Sequence, residues 1–160
     1  MRHYFFDSSS FLKLFVVEAG DKRVREIMHA AEAGNGEVRV AVCDLAHPES
    51  ASALRQMLER GEGGRRGISS ARLKRTLPVI QTFFTKGTTL TIVEASTVIP
   101  ESADLAVRHR VRGADAVHIA AAQRVQRRVA VGEEFWFVSA DVRQASAARR
   151  EGMPVLDPTA

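Results

Sequence analysis

The stretch from His3 to Ser10 constrains this chain more than any other. An apolar run, Tyr4-Phe5-Phe6, stops abruptly at Asp7 and is followed by Ser8, Ser9 and Ser10. An aromatic run bounded by a polar cluster reads as a buried strand, with Asp7 at its carboxyl end. In open parallel α/β sheets, ligands bind in the crevice outside the carboxyl ends of the strands, so a carboxylate there is placed for chemistry. The rest of the chain is expected to bring further carboxylates to the same edge.

Strand and helix signals alternate after Asp7. Phe11, Leu12, Leu14, Phe15 and Val16 predict a short apolar-faced helix ending near Gly20. Asp21 reads as the N-cap of a second helix over 22–33, closed by Gly34-Asn35-Gly36. Val38, Val40 and Val42 alternate with Arg39 and Ala41 in a second strand, so strand, helix and strand suggest a parallel βαβ unit. Pro48 suits a first helical turn, and Ala51, Leu54, Met57 and Leu58 recur at helical spacing, which puts Glu49 in that first turn.

The glycines at 61, 63, 64 and 67 are expected to break this helix and to form a mobile loop. A further helical face starts at Ser70 and passes through Pro78, a residue that can kink a helix. Later segments predict a strand over 88–93, a helix opened by Pro100 and a helix over 114–128 with Asp115 in its first turn. They are followed by a strand over 135–138, a helix over 141–151 and a last strand over 153–156. The alternation argues a single α/β domain over residues 1–160, a three-layer α/β/α sandwich around a central parallel sheet.

Composition bounds the function. The 45% hydrophobic and 26% charged residues are ordinary for a globular protein. The single cysteine, Cys43, excludes an intramolecular disulfide framework and fits a reducing compartment. No apolar stretch approaches the roughly 20 residues of a membrane span, and no signal-like segment opens the chain, so a cytoplasmic protein without membrane contact is expected. The net charge is +4. Residues 55–75 hold seven basic side chains against Glu59 and Glu62, a net +5, leaving the rest near −1. This segment reads either as an electrostatic footprint for nucleic acid, with Arg65, Arg66 and Arg72 as contacts, or as a solvated helical hairpin.

Four carboxylates share one property: Asp7, Glu49, Asp115 and Asp141 each lie at a strand-to-helix junction or in a first helical turn. Helices that follow parallel strands begin at the carboxyl edge of the sheet, so these side chains can converge. Crowded carboxylates repel and raise one another's pKa, a cost that a hard divalent cation such as Mg²⁺ or Mn²⁺ removes. Such a site suits phosphodiester hydrolysis, since a metal activates water and neutralises charge on phosphoryl oxygens. The structural alternative is helix capping: Asp141-Val142-Arg143-Gln144 has the form of a capping box, and Asp115 and Glu49 suit helix N-termini.

Three segments resemble the PIN-domain nucleases, and within them the VapC-type toxins of toxin-antitoxin pairs. Tyr4-Phe5-Phe6-Asp7-Ser8-Ser9-Ser10-Phe11-Leu12-Lys13-Leu14 is similar to the opening motif, and Arg112-Gly113-Ala114-Asp115-Ala116-Val117-His118-Ile119-Ala120 to the second signature. Phe137-Val138-Ser139-Ala140-Asp141, with Ala147, Gly152 and Val155-Leu156, resembles the closing strand, acidic turn, helix and last strand. The resemblance implies strand order 3-2-1-4-5 and a Mg²⁺-dependent endoribonuclease with metal ligation by Asp7, Glu49, Asp115 and Asp141. It also implies that Ser9 orients Asp7 or a metal-bound water, and that Ser139 takes the hydroxyl position two before the last acid. A homodimer and a VapB-like antitoxin partner are implied as well.

One departure concerns the second acid. Asp44-Leu45-Ala46-His47-Pro48 precedes Glu49, so Pro48 affects the aim of Glu49 and Asp44 is the alternative acid. His118 stands three residues after Asp115, but a histidine there is not taken as a ligand. Asp104 and Arg108 have the spacing of an exposed intrahelical pair. Two other functions compete with the nuclease. A haloacid-dehalogenase-like phosphatase would need an aspartate where Ser9 stands, and a catalytically silent PIN-like module would bind RNA or protein without cutting.

Overall fold

Five short segments form the strands of the computed structural model, which describes residues 1–62, 67–85 and 89–160. They are β1 (Arg2–Phe6), β2 (Val38–Cys43), β3 (Leu90–Val93), β4 (Glu134–Val138) and β5 (Val155–Leu156). All pair in parallel in the order β3-β2-β1-β4-β5, the order that the resemblance to PIN domains implies. β1 is central: Tyr4 stands between Val40 and Trp136, and Phe6 between Val42 and Val138.

Successive side chains leave a strand on opposite faces, so β1 feeds two cores. On one face Tyr4, Phe6, Val40, Val42 and Val138 pack with helices α1 (Ser8–Leu12), α2 (Asp21–Glu32), α3 (Ala46–Glu62) and α4 (Ser70–Phe83). On the other, Phe5, Ala41, Cys43 and Phe137 pack with α5 (Ile99–His109), α6 (Gly113–Gln126) and α7 (Val142–Arg150). Phe5, Phe6 and Phe137 are fully buried, each contributing about 1.5–3 kcal/mol of hydrophobic stabilisation. Cys43 is also fully buried, and burial pushes its thiol up to about 12, which leaves it an unreactive core residue. No helix among the described residues is long and apolar enough to cross a membrane.

The local differences from expectation have local causes. The first helix starts at Ser8, because the Asp7 carboxylate caps it by accepting the Ser10 amide at 2.6 Å. β3 begins at Leu90, and Thr88, expected to open it, lies outside the described residues. Gly61 does not end α3, which continues to Glu62; the rest of the expected glycine-rich loop, 63–66, is outside the described residues. Pro48 falls in the first turn of α3, where its missing N–H removes no helical bond. Pro78 stays inside α4. The end of α4 is held against α1 by edge-to-face contacts of Phe11 with Phe83 and Phe84, at 5.9 and 5.3 Å.

The expected N-cap Asp21 is corrected. α2 is capped by Gly20, and Asp21 is its first residue, 3.7 Å from Arg25. The chain must turn left-handed at Gly20, with φ of 86°, and a β-carbon there would lie 2.7 Å from the Pro158 carbonyl oxygen. Only glycine meets both demands.

Glu151 clasps the helices of the second layer. Its Oε1 meets His109 Nε2 at 2.5 Å and Arg108 Nη1 at 2.8 Å, and its Oε2 accepts Gln123 Nε2 at 2.7 Å. Arg108 also pairs with Asp104, as the spacing predicts. Burial works to raise the Glu151 pKa, but the hydrogen bonds of His109 and Gln123 and the charge of Arg108 outweigh it and hold the carboxyl below its ordinary value.

Two outcomes are expected. Gly20→Ala should destabilise the fold by about 1–3 kcal/mol in urea unfolding, from a strained φ and the clash with Pro158. A carboxyl with a lowered folded-state pKa stabilises above its unfolded pKa and loses that effect as pH falls through the folded value. Glu151→Gln should therefore cost about 1 kcal/mol at pH 7, allowing for solvent screening. Urea midpoints measured against pH should show its deficit shrinking as pH drops below about 4.

Candidate active site

The carboxyl edge of the sheet gathers its polar groups through hydrogen bonds that cross between elements. Asp7 is 3% exposed and continues the β1–β4 pairing, its amide donating to the Val138 carbonyl at 3.2 Å. Ser9 Oγ donates to both Asp7 carboxylate oxygens, at 3.0 and 3.1 Å. Ser10 Oγ donates to the Val138 carbonyl at 2.9 Å. One serine thus orients the acid and the next ties its helix to the end of β4.

Asp141 follows β4 by three residues and caps α7, its Oδ1 accepting the amides of Arg143 and Gln144 at 2.8 and 2.9 Å. Half of the expected capping box forms. The Gln144 side chain does not return to the Asp141 amide, which donates instead to Ser139 Oγ at 3.1 Å. Gln144 Oε1 accepts the Ser139 hydroxyl at 3.1 Å, and its Nε2 donates to the Asp115 carbonyl at 3.3 Å. Gln144, 2% exposed, joins the start of α7 to the start of α6.

Glu49 stands in the first turn of α3. It accepts the Ser8 hydroxyl, and its Oε2 lies 2.7 Å from His118 Nε2, which is itself 2.6 Å from Ser8 Oγ. Burial works to raise the Glu49 pKa, but the hydrogen bonds from His118 and Ser8 and the His118 charge bring the carboxyl below its ordinary value. His118 is 2% exposed, and its buried Nδ1 has no partner among the described residues. The alternative acid, Asp44, serves the backbone: its Oδ1 accepts the Ala95 amide at 2.8 Å, at the 3₁₀ turn Ala95–Thr97 that follows β3.

Asp115 links the remaining carboxylates. Burial raises its pKa, the Asp141 charge adds to that, the Arg112 amide and guanidinium oppose it, and Glu49 adds again; the net shift is upward. Asp115 is therefore within electrostatic reach of both Asp141 and Glu49. Four carboxylates with serine hydroxyls are hard oxygen donors of the kind that Mg²⁺ or Mn²⁺ takes, so donor chemistry and charge both fit a divalent cation. Among the described residues, no three histidine, cysteine or acidic side chains already stand close enough to ligate one ion.

Among the expected RNA contacts, Arg65 and Arg66 lie outside the described residues. Arg72 is half-buried and donates from Nη2 to the Phe15 carbonyl at 3.2 Å, which braces α4 against the turn after α1. Sequence reasoning missed the contact of His118 with Glu49. Its signal was a polar residue on the apolar stripe of α6, where an imidazole needs a partner. It also missed Gln144, visible only as half of a capping box.

The sheet order and the three layers define a PIN-like α/β/α fold of the VapC type. The chain shares this fold with a chain of the VapBC-1 structure from nontypeable Haemophilus influenzae, at 9% identity over 99% of each chain and a TM-score of 0.54. A chain of a toxin-antitoxin complex from Klebsiella pneumoniae aligns over 97% of each chain at 17% identity, with a TM-score of 0.49. No family model and no curated protein matches the chain.

The histidine contact carries an expected outcome. His118→Phe keeps the ring volume and removes the hydrogen bond, which leaves Glu49 partly buried with Ser8 alone. Urea unfolding at neutral pH should show a loss of about 1–3 kcal/mol; an unchanged midpoint would remove the contact from any account of how Glu49 is held.

Proposed function

We propose that this protein is a VapC-like toxin, a Mg²⁺-dependent endoribonuclease that hydrolyses RNA phosphodiester bonds at the acidic edge. The observation that carries the reading is the gathering of carboxylates at one sheet edge: Asp7 is fixed at the end of β1 by its amide bond to Val138, Asp141 caps α7 three residues after β4, and Asp115 feels the charges of Asp141 and Glu49. Asp7, Glu49, Asp115 and Asp141 would hold the cation. Bound there, Mg²⁺ or Mn²⁺ supplies neutralisation of phosphoryl charge and acidification of water. The chain's own residues set the geometry: Ser9 orients Asp7, Ser139 and Gln144 brace the turn that carries Asp141, and Ser8 and His118 hold Glu49.

The partners follow from the same reading. The neighbour from Haemophilus influenzae comes from a structure named VapBC-1, which supports a VapB-like antitoxin for this chain. We extend the reading to a homodimer working in the cytoplasm.

One observation favours a second reading, a catalytically silent PIN-like binding module: Glu49 is already engaged by Ser8 and His118, and no three ligands converge among the described residues. Asp7→Asn separates the two, because asparagine is also a good N-cap and should preserve α1. A mixed pool of structured RNA is incubated with the protein and the variant, each with Mg²⁺, Mn²⁺ or EDTA. The nuclease reading expects metal-dependent cutting that drops in Asp7→Asn to the level seen in EDTA. Equal behaviour of the two proteins in every condition would assign the silent module.

A further inference from the structure

α7 starts at Asp141, and between it and the C-terminal end of α5 lies a cleft of about 750 Å³ whose lining includes Arg108, His109, Arg110, Val142, Arg143 and Arg150. Its cationic groups fall into two sets. Arg108 and His109 are held by Glu151 at 2.8 and 2.5 Å, and Arg108 pairs with Asp104 as well. Arg110, Arg143 and Arg150 have no acidic side chain within 4.0 Å among the described residues. Three guanidinium groups therefore line one cleft with no acidic partner among the described residues.

One wall of the cleft starts next to an acid of the site in the chain. Arg143 donates its amide to Asp141 Oδ1 at 2.8 Å, so one wall begins in the turn that carries an acid of the site. Gln144, the next residue, ties that wall to the Asp115 carbonyl at 3.3 Å. The other wall ends at Arg110, which closes α5 with φ of 54°. Helices that end this way usually carry glycine or asparagine at the turn. An arginine there holds a guanidinium at the mouth of the cleft in spite of the backbone conformation.

Three unneutralised guanidinium groups spread over a cleft of this size suit several phosphates in a row better than one small anion. Guanidinium also matches phosphate geometry more closely than ammonium does. We propose that the α5–α7 cleft is the track along which a single RNA strand reaches the acidic edge, with Arg110, Arg143 and Arg150 contacting successive phosphates. The inference rests on the nuclease reading and moves the RNA footprint from residues 55–75 to the opposite helical layer. The clasp of Glu151 explains why Arg108 and His109 are left out of the track.

The test is fluorescence anisotropy of a labelled single-stranded RNA on the Asp7→Asn protein across a salt series. It is compared with the same protein carrying Arg110→Gly, Arg143→Ala and Arg150→Ala. A control removes equal charge from the other layer through Lys22→Ala, Arg23→Ala and Lys74→Ala. Loss of three phosphate contacts should flatten the slope of log affinity against log salt by about 2, at about 0.7 for each contact on a single strand. The control should leave the slope in place. If the triple variant fails to fold by circular dichroism, Arg143→Ala and Arg150→Ala singly, both exposed on α7, should each flatten the slope by about 0.7. An unchanged slope in a folded cleft variant, with the unaltered protein still cutting RNA, overturns the track and leaves the cleft as a protein-docking face. If the unaltered protein neither cuts nor binds RNA, the nuclease reading fails and the track falls with it.

Discussion

Parallel pairing of β1 with β2 on one side and β4 on the other is the constraint on which the rest of the structure depends. It runs past the last strand residue, since the Asp7 amide still bonds to the Val138 carbonyl. That bond fixes where β1 stops relative to β4, and so where Asp7 stands relative to Ser139 and Asp141. Parallel strands also oblige the helix after each strand to start at the same edge, which brings Glu49 there after β2; α6 follows α5 instead, and Gln144 ties its first turn to the start of α7 through the Asp115 carbonyl. A shift of β1 by one residue would exchange Tyr4 and Phe6 with Phe5 between the two cores and carry Asp7 away from the edge.

The acids at that edge are held by polar side chains belonging to other elements. Glu49 of α3 meets Ser8 of α1 and His118 of α6, while Gln144 of α7 reaches Ser139 after β4 and the backbone of Asp115 on α6. Buried polar groups are costly unless partnered, so these cross-links specify the relative placement of four helices as well as holding carboxylates. Helix capping and site construction coincide here. Asp7 and Asp141 each use one oxygen to start a helix, and so the capping and ligand readings of these acids are compatible.

Charge is sorted along α7. At its C-terminal end Glu151 gathers Arg108, His109 and Gln123, while Arg110, Arg143 and Arg150, which line the cleft, have no acidic partner among the described residues. An acidic edge with arginines at the cleft beside it has the charge distribution that the proposed polyanionic ligand requires, since carboxylates alone would repel it.

The sequence by itself determined the layered α/β architecture, because apolar strands of two to six residues alternate with helical faces, and each pattern depends only on neighbours along the chain. It also determined that Asp7, Glu49, Asp115 and Asp141 lie at strand ends or first helical turns. The strand order came from the resemblance to PIN domains, since local periodicity does not say which strands are adjacent. Tertiary structure decided the rest. Asp21 yielded its capping place to Gly20 because Pro158, far along the chain, comes within contact distance. Asp44 accepts the Ala95 amide after β3, while Glu49 meets Ser8 and His118 from two other helices, a difference that only the packing of those helices sets. His118 became a partner of Glu49, and three arginines remained unpaired around one cleft, because residues distant in sequence meet only once the sheet has set the helices side by side.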